Sequence, residues 1–345
     1  TFKLPFDRPP VLRSLVGPVI SRANLVPGHS ITVPVFDPVT QKNQDMTVTI
    51  VGPDTVIILD KEYPAIHIRQ SVAGLILNGW INERGEMLRQ ELGLGLVAIR
   101  ETKARARAGT LPSTKGANLV EATMIPISGL PKTLTSTDRI TFRIHGVDIA
   151  NFKLKDRRQS LNGDRLTIQR EKLGSGLSIP VTQPKYKSAL RSRPLVQSDH
   201  PRIKTQAKAI IGDAQDTLVA SQRIYEWIGK NMTQKPVAGI PSALESLDTR
   251  IGDCNEHSTL FAALARASGI PTRIVIGLVY KDGLFVYHAW NEVLTREGWV
   301  SVDTTWQQFP ADVGHIALLR GGLSEQVRLL PLMGRLKIDR VPLKD

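Results

Sequence analysis

Gly252-Asp253-Cys254-Asn255-Glu256-His257-Ser258-Thr259-Leu260-Phe261-Ala262-Ala263-Leu264-Ala265-Arg266-Ala267-Ser268-Gly269-Ile270-Pro271 is the stretch that organises this chain. It holds the only cysteine among 345 residues. Asp253 is a good N-cap residue, and Glu256 three positions on completes an acidic capping box. The pattern predicts a helix starting at Cys254. Leu260, Phe261, Leu264 and Ala267 recur at three- and four-residue spacing, so one face is expected to be buried. Ser268-Gly269 supplies the stop, and Pro271 prevents continuation. Cys254 thus falls in the first helical turn, where free backbone N–H groups and the positive dipole end favour a thiolate. A lone cysteine is otherwise most often a small buried hydrophobe. The helix alone leaves both readings open.

The next segments add two partners. Thr272 to Tyr280 reads as a strand, Lys281-Asp282-Gly283 as a turn, and Phe285 to Leu294 as a second strand with His288, Trp290 and Glu292 on one face. Thr295 to Gly298 is a turn, and Trp299 to Asp303 a third strand. An even-numbered loop between the last two would put His288 and Asp303 on the same face; an odd one would separate them. A thiolate, an imidazole and a carboxylate so placed form a nucleophile, base and orienter.

On these motifs the stretch from about Ile203 to Leu319 resembles the bacterial transglutaminase-like superfamily. They are Gly252-Asp253-Cys254-Asn255-Glu256-His257, Ala262 to Arg273, His288-Ala289-Trp290-Asn291-Glu292, and Trp299-Val300-Ser301-Val302-Asp303-Thr304-Thr305-Trp306. The resemblance implies a papain-like catalytic triad of Cys254, His288 and Asp303. It implies an α+β core of helices packed on an antiparallel sheet. The family often has Asp-Pro-Thr where this chain has Asp303-Thr304-Thr305, which leaves the carboxylate in place. The implied activity is that of a cysteine-dependent hydrolase or acyltransferase working on amides through a thioester. Hydrolysis of a peptide or isopeptide bond is preferred over transamidation, since water is always at hand. The rival reading is a non-catalytic docking protein with a relic triad. Trp290 and Trp306 flank the triad strands and either line an acyl-donor groove or cap the core. His257, one turn after Cys254, either assists the thiol or substrate binding or makes a structural hydrogen bond. Zinc on Cys254, His257 and His288 is not expected: Cys-x-x-His spacing is weak and no second cysteine supports it. No EF-hand-like acidic loop is present, so calcium activation is not indicated and no cofactor is expected. The other histidines, His29, His67, His145, His200 and His315, show no pairing in the sequence.

Length allows two or three domains, and an apolar share of 41% is ordinary for a globular chain. No apolar run is long enough to span a bilayer. One cysteine excludes an internal disulfide. The first residue is Thr, and the expected setting is export to the periplasm or cell envelope, with a peptide, protein or cell-wall substrate. Net charge is +13, unevenly spread: residues 1–199 carry 28 Lys and Arg against 17 Asp and Glu, and residues 200–345 carry 17 against 15. The basic half can dock on an anionic surface or polymer. There is no clear nucleic-acid motif.

The expected organisation is an N-terminal antiparallel β-rich domain over 1–125, a second β unit over 126–190, a linker over 191–202 and the transglutaminase-like domain over 203–345. Phe2 to Phe6 is expected to pack as an arm. Ser30 to Phe36 must be an edge strand because of Pro34. Met46 to Val51 and Thr55 to Leu59 read as two strands joined by Gly52-Pro53-Asp54. Residues 109–125 read as a loop entering a short helix. Val327 to Met333 and Leu336 to Val341 are expected to close the core sheet as strands.

Overall fold

Apolar residues alternate from Ser30 to Ile99, and in the computed structural model this segment runs up and down as antiparallel strands: Ser30–Asp37, Lys42–Ile58, Lys61–Val72, Leu75–Ile81, Met87–Gly93 and Leu96–Ile99. Residues 8–23, 26–37, 42–72, 75–93, 96–108, 123–149, 152, 154–237, 242–321 and 323–341 are described. The Phe2 to Phe6 segment and residues 109–122 lie outside them. Two units are formed, residues 1–123 with 327–334 and residues 124–326 with 335–345.

In the first unit Val33, Val35, Met46, Val48, Ile50 and Ile68 bury one face under Val16 and Ile20 of the Val16–Arg22 helix. Ser30–Asp37 bonds along its length to Lys42–Ile58 and, on its other side, among the described residues, only to Val11–Leu12. Pro34 therefore sits where a missing N–H costs little. Gly52-Pro53-Asp54 does not separate two strands. The ladder slips between Ile50 and Gly52, and a single strand continues to Ile58. Gly52, at a φ of 151°, lets the bulge absorb the proline.

In the second unit Cys254–Ala267 is the central helix. It packs on Pro201–Ile211, Thr217–Asn231 and Ala243–Thr249 and on the strands Thr272–Lys281 and Leu284–Thr295. Helices on one side and a sheet on the other bury every residue from Glu256 to Ala265, so the expected single apolar face is a fully enclosed helix. The sheet runs Gly298–Val302, Leu284–Thr295, Thr272–Lys281, His315–Arg320, and Ile125–Pro126 adds to Leu284 and Phe285.

The strands of 126–190 belong to this same unit. Arg139–His145 pairs with Arg165–Gln169 and with Lys337–Arg340, and Gln159–Asn162 closes the far edge. Buried Arg158 and Gln159 reach from that sheet to the backbone at Ala311, His315 and Ala317. Residues 191–202 are not a free spacer either. Val196 and Ser198 are buried, and the Leu195 carbonyl accepts the Ala243 N–H. The chain end also departs from expectation: Val327–Leu332, interrupted by Pro331, is a 3-10 helix, and only Lys337–Arg340 is a strand, on the Arg139–His145 sheet.

Candidate active site

The start of the central helix is built as its sequence requires. The Asp253 carboxylate accepts the Asn255 N–H at 2.9 Å, and the Glu256 carboxylate accepts the Asp253 N–H at 2.9 Å, a complete capping box. Burial pushes the Glu256 carboxyl up to about 7. Cys254 occupies the first turn, partly buried and free. At the other end Gly269 adopts a φ of 76°, and the Arg266 guanidinium donates to the Thr272 carbonyl at 3.0 and 3.2 Å. These contacts fix where the helix ends and the first core strand begins.

The hairpin that brings in the other two groups has a two-residue loop. Thr295 pairs with Gly298 and Asn291 with Val302. The loop is even, so His288 and Asp303 share a face. Asn291 joins hairpin to helix, its side chain donating to the Ser258 carbonyl at 3.0 Å. His288 Nε2 lies 2.7 Å from Asp303 Oδ2. Burial by itself would lower the His288 pKa, but the Asp303 charge and hydrogen bond, with a hydrogen bond and charge from Cys254, outweigh it and push the imidazole up to about 10. Asp303 is completely buried. Burial would raise its pKa, yet His288 and His315 hold it well below the usual carboxylate range. His288 and Asp303 are thus hydrogen-bonded to each other, with Cys254 near enough to act on the same imidazole.

The remaining candidates divide. Trp290 is 2% exposed and lies beneath the imidazole, nearly parallel to it at 6.1 Å, so it packs in the core instead of lining an open groove. Trp306 is partly exposed, its ring edge-on to His288 at 5.7 Å. His257 is 3% exposed, and burial lowers its pKa. Its ring nitrogens make no well-formed hydrogen bond, although the Thr304 backbone lies beside it.

Several of the histidines read as unpaired do have partners. His67 bonds Asn78 at 3.1 Å and stacks on Trp80, His145 bonds Asp339 at 2.9 Å, and His200 accepts the Arg202 N–H as a helix cap. His315 matters most. Its Nε2 lies 2.9 Å from the same Asp303 oxygen that His288 contacts, and its Nδ1 lies 3.1 Å from Asp312. Only the His145–Asp339 pairing joins residues far apart in sequence; the others are made within a helix start, a hairpin or a loop whose spacing has no helix or strand period. Nitrogen and oxygen atoms of His288, Asp303 and His315 all lie within 4.8 Å of one another. Both imidazoles point at one carboxylate oxygen at hydrogen-bond distance, so neither offers a free lone pair there, and the cluster reads as a hydrogen-bonded one, not a metal centre.

Residues 204–304 match the family model of the transglutaminase-like superfamily. Over 76 residues the chain is 41% identical to a protein-glutamine gamma-glutamyltransferase of Pseudomonas aeruginosa, a match covering 18% of this chain and 11% of that protein. The chain thus spans about a tenth of that relative's length. Among solved structures, the periplasmic domain of TgpA from Pseudomonas aeruginosa aligns at 15% identity and a TM-score of 0.32, covering 82% of this chain and 84% of that one. A cysteine protease-like protein of Cytophaga hutchinsonii aligns at 17% identity and a TM-score of 0.39, covering 58% and 83%. Residues 204–304 thus match a transglutaminase-like domain, within an α+β chain whose N-terminal part is β-rich.

Proposed function

We propose that this protein is an enzyme that transfers acyl groups from amides through a thioester on Cys254. The observation that carries the reading is the buried His288–Asp303 pair at 2.7 Å, with Cys254 at the helix start acting on the same imidazole. His288 takes the thiol proton. Asp303 accepts from Nε2, which leaves Nδ1 to face the sulfur and supports the imidazolium. The thiolate attacks an amide carbonyl. The Cys254 backbone N–H, which has no intrahelical acceptor in the first turn, is suited to the oxyanion. As the C–N bond breaks, the imidazolium gives its proton to the leaving ammonia or amine. Water then releases an acid, or a second amine releases a new amide.

The named activity of the Pseudomonas aeruginosa relative favours a glutamine side-chain amide as one donor to try, with hydrolysis of peptide or isopeptide bonds as the other outcome. Export to the cell envelope is part of the proposal, and cell fractionation checks it. The test incubates the protein with glutamine-containing peptides and cell-wall fragments, with and without a labelled primary amine, and follows products by mass spectrometry. Amine incorporation marks transamidation, and acid product alone marks hydrolysis. Cys254→Ala is expected to abolish both with the fold intact. Asp303→Asn is expected to lower turnover by roughly two to four orders of magnitude by favouring the wrong tautomer. Turnover by Cys254→Ala at the wild-type rate would remove the thioester mechanism, and absence of any turnover by the wild type would leave the docking-protein reading in its place.

A further inference from the structure

We infer that His315 and Asp312 form a positioning pair behind Asp303, holding its carboxylate at the angle that the His288 imidazole needs. The inference rests on the reading of Cys254 and His288 as the reacting pair. Asp303 has no exposure to solvent, and its hydrogen-bonding capacity is full. Oδ1 accepts the backbone N–H groups of Thr305 at 2.8 Å and Trp306 at 3.0 Å. Oδ2 accepts His288 at 2.7 Å and His315 at 2.9 Å. A carboxylate offers about four acceptor positions, and here each has a donor. His288 must move slightly as it passes protons, so His315 is the fixed donor on the oxygen that His288 uses.

Asp312 holds the ring from behind. Its Oδ1 accepts the Gly314 N–H at 2.9 Å and lies 3.1 Å from His315 Nδ1, while Oδ2 accepts the Gln308 amide at 3.1 Å. Burial would raise the Asp312 pKa, but His315 and the backbone N–H hold it below the usual range. Nε2 of His315 faces Asp303 and Nδ1 faces Asp312, so the ring is held between two buried carboxylates and Asp312 fixes its orientation from behind.

The side chain is not needed to hold its own loop. Arg158 donates to the carbonyls of Ala311 at 3.0 Å, of Asp312, and of His315 at 3.4 Å, and Gln159 brackets Ala317 with two hydrogen bonds of 2.6 and 3.0 Å. The backbone is fastened from the Gln159–Asn162 sheet, while the imidazole faces the site.

Because Cys254 is the only cysteine, the iodoacetamide alkylation rate against pH reads the Cys254–His288 pair without any substrate. Wild type, His288→Ala, His315→Leu, His315→Gln and Asp312→Asn are compared, with circular dichroism confirming each fold. The wild-type profile is expected to depend on His288, and His288→Ala to alkylate more slowly. His315→Leu should lower the rate roughly ten- to hundredfold, the scale of one lost charge-assisted hydrogen bond, and move the profile to higher pH. His315→Gln, whose amide nitrogen reaches the position of Nε2, should restore most of it. Asp312→Asn should shift the profile in the same direction as His315→Leu, by less. If His315→Leu does not fold, the Gln and Asp312→Asn variants carry the same comparison. A wild-type profile in His315→Leu, or equal losses in Leu and Gln, overturns the pair while the His288 dependence stands. Alkylation indifferent to His288 overturns the proposed function itself, and the inference with it.

Discussion

Glu256 is drawn in two directions by one small site. It accepts the Asp253 N–H at the start of the helix, and it is buried there as a carboxyl with its pKa near 7, well above its ordinary value of 4.5. The folded state therefore binds the Glu256 proton more tightly than the unfolded chain does. Its contribution to stability is fully present below about pH 4.5 and falls away as pH rises through 7. Glu256→Gln keeps an oxygen to accept the Asp253 N–H and removes the buried charge. Thermal denaturation at pH 4.5, 6 and 8 should show wild type losing stability across the range and the variant losing clearly less. Parallel curves would mean that Glu256 is not the group responsible. At this scale the sequence was most readable where chemistry lies within one turn or one hairpin. Asp253, Cys254 and Glu256 are close in sequence, and His288 meets Asp303 through strand parity alone. His315 and Asp312 follow Asp303 across a loop with no period, so nothing in their spacing announces that they turn back to the same carboxylate.

The central helix and its hairpin were legible as elements because both ends carry their own punctuation. Gly269 shows how strict that punctuation is. Its φ of 76° lies in the left-handed region, and a Cβ there would meet the Pro180 Cβ at 2.5 Å. Gly269→Ala should destabilise the second unit by about 1–3 kcal/mol from the backbone conformation alone, with the contact adding to it. Urea denaturation would show the loss, and the alkylation rate of the folded fraction should be unchanged because Cys254 is at the opposite end of the helix. A change under about 0.5 kcal/mol would mean that the turn relaxes freely. Other elements were misread for reasons that are equally physical. Gly52-Pro53-Asp54 has turn composition, yet a bulge accommodates it inside one strand. The helix pattern suggested one buried face, but the sheet and three helices enclose it. Lys337–Arg340 could not be placed from periodicity, because its partner Arg139–His145 lies about two hundred residues earlier in the chain.

At the scale of the whole molecule the unresolved property is charge. Residues 1–199 hold 28 basic against 17 acidic side chains. The structure pairs some of them on the surface: Arg8 with Asp45, Arg89 with Glu91, Arg100 with Glu86, and Arg143 with Asp164. Each pair uses one charge of each sign, so pairing leaves the excess untouched, and exposed pairs of this kind add little to stability. If that excess meets an anionic polymer or lipid surface, the association must be screened by salt. The Debye length falls from about 30 Å at 0.01 M to about 8 Å at 0.15 M ionic strength. Cosedimentation of the full chain with phosphatidylglycerol vesicles should be strong at the lower salt and largely lost at the higher, while neutral phosphatidylcholine vesicles retain none at either. The same binding should persist in Cys254→Ala, since the excess lies in the first 199 residues and the thiol does not. Retention that ignores salt would point to apolar contact instead of charge. Absence of binding at low salt would leave the basic half with a role in solubility alone, and substrate would then have to be found by the transglutaminase-like domain without help from an anionic scaffold.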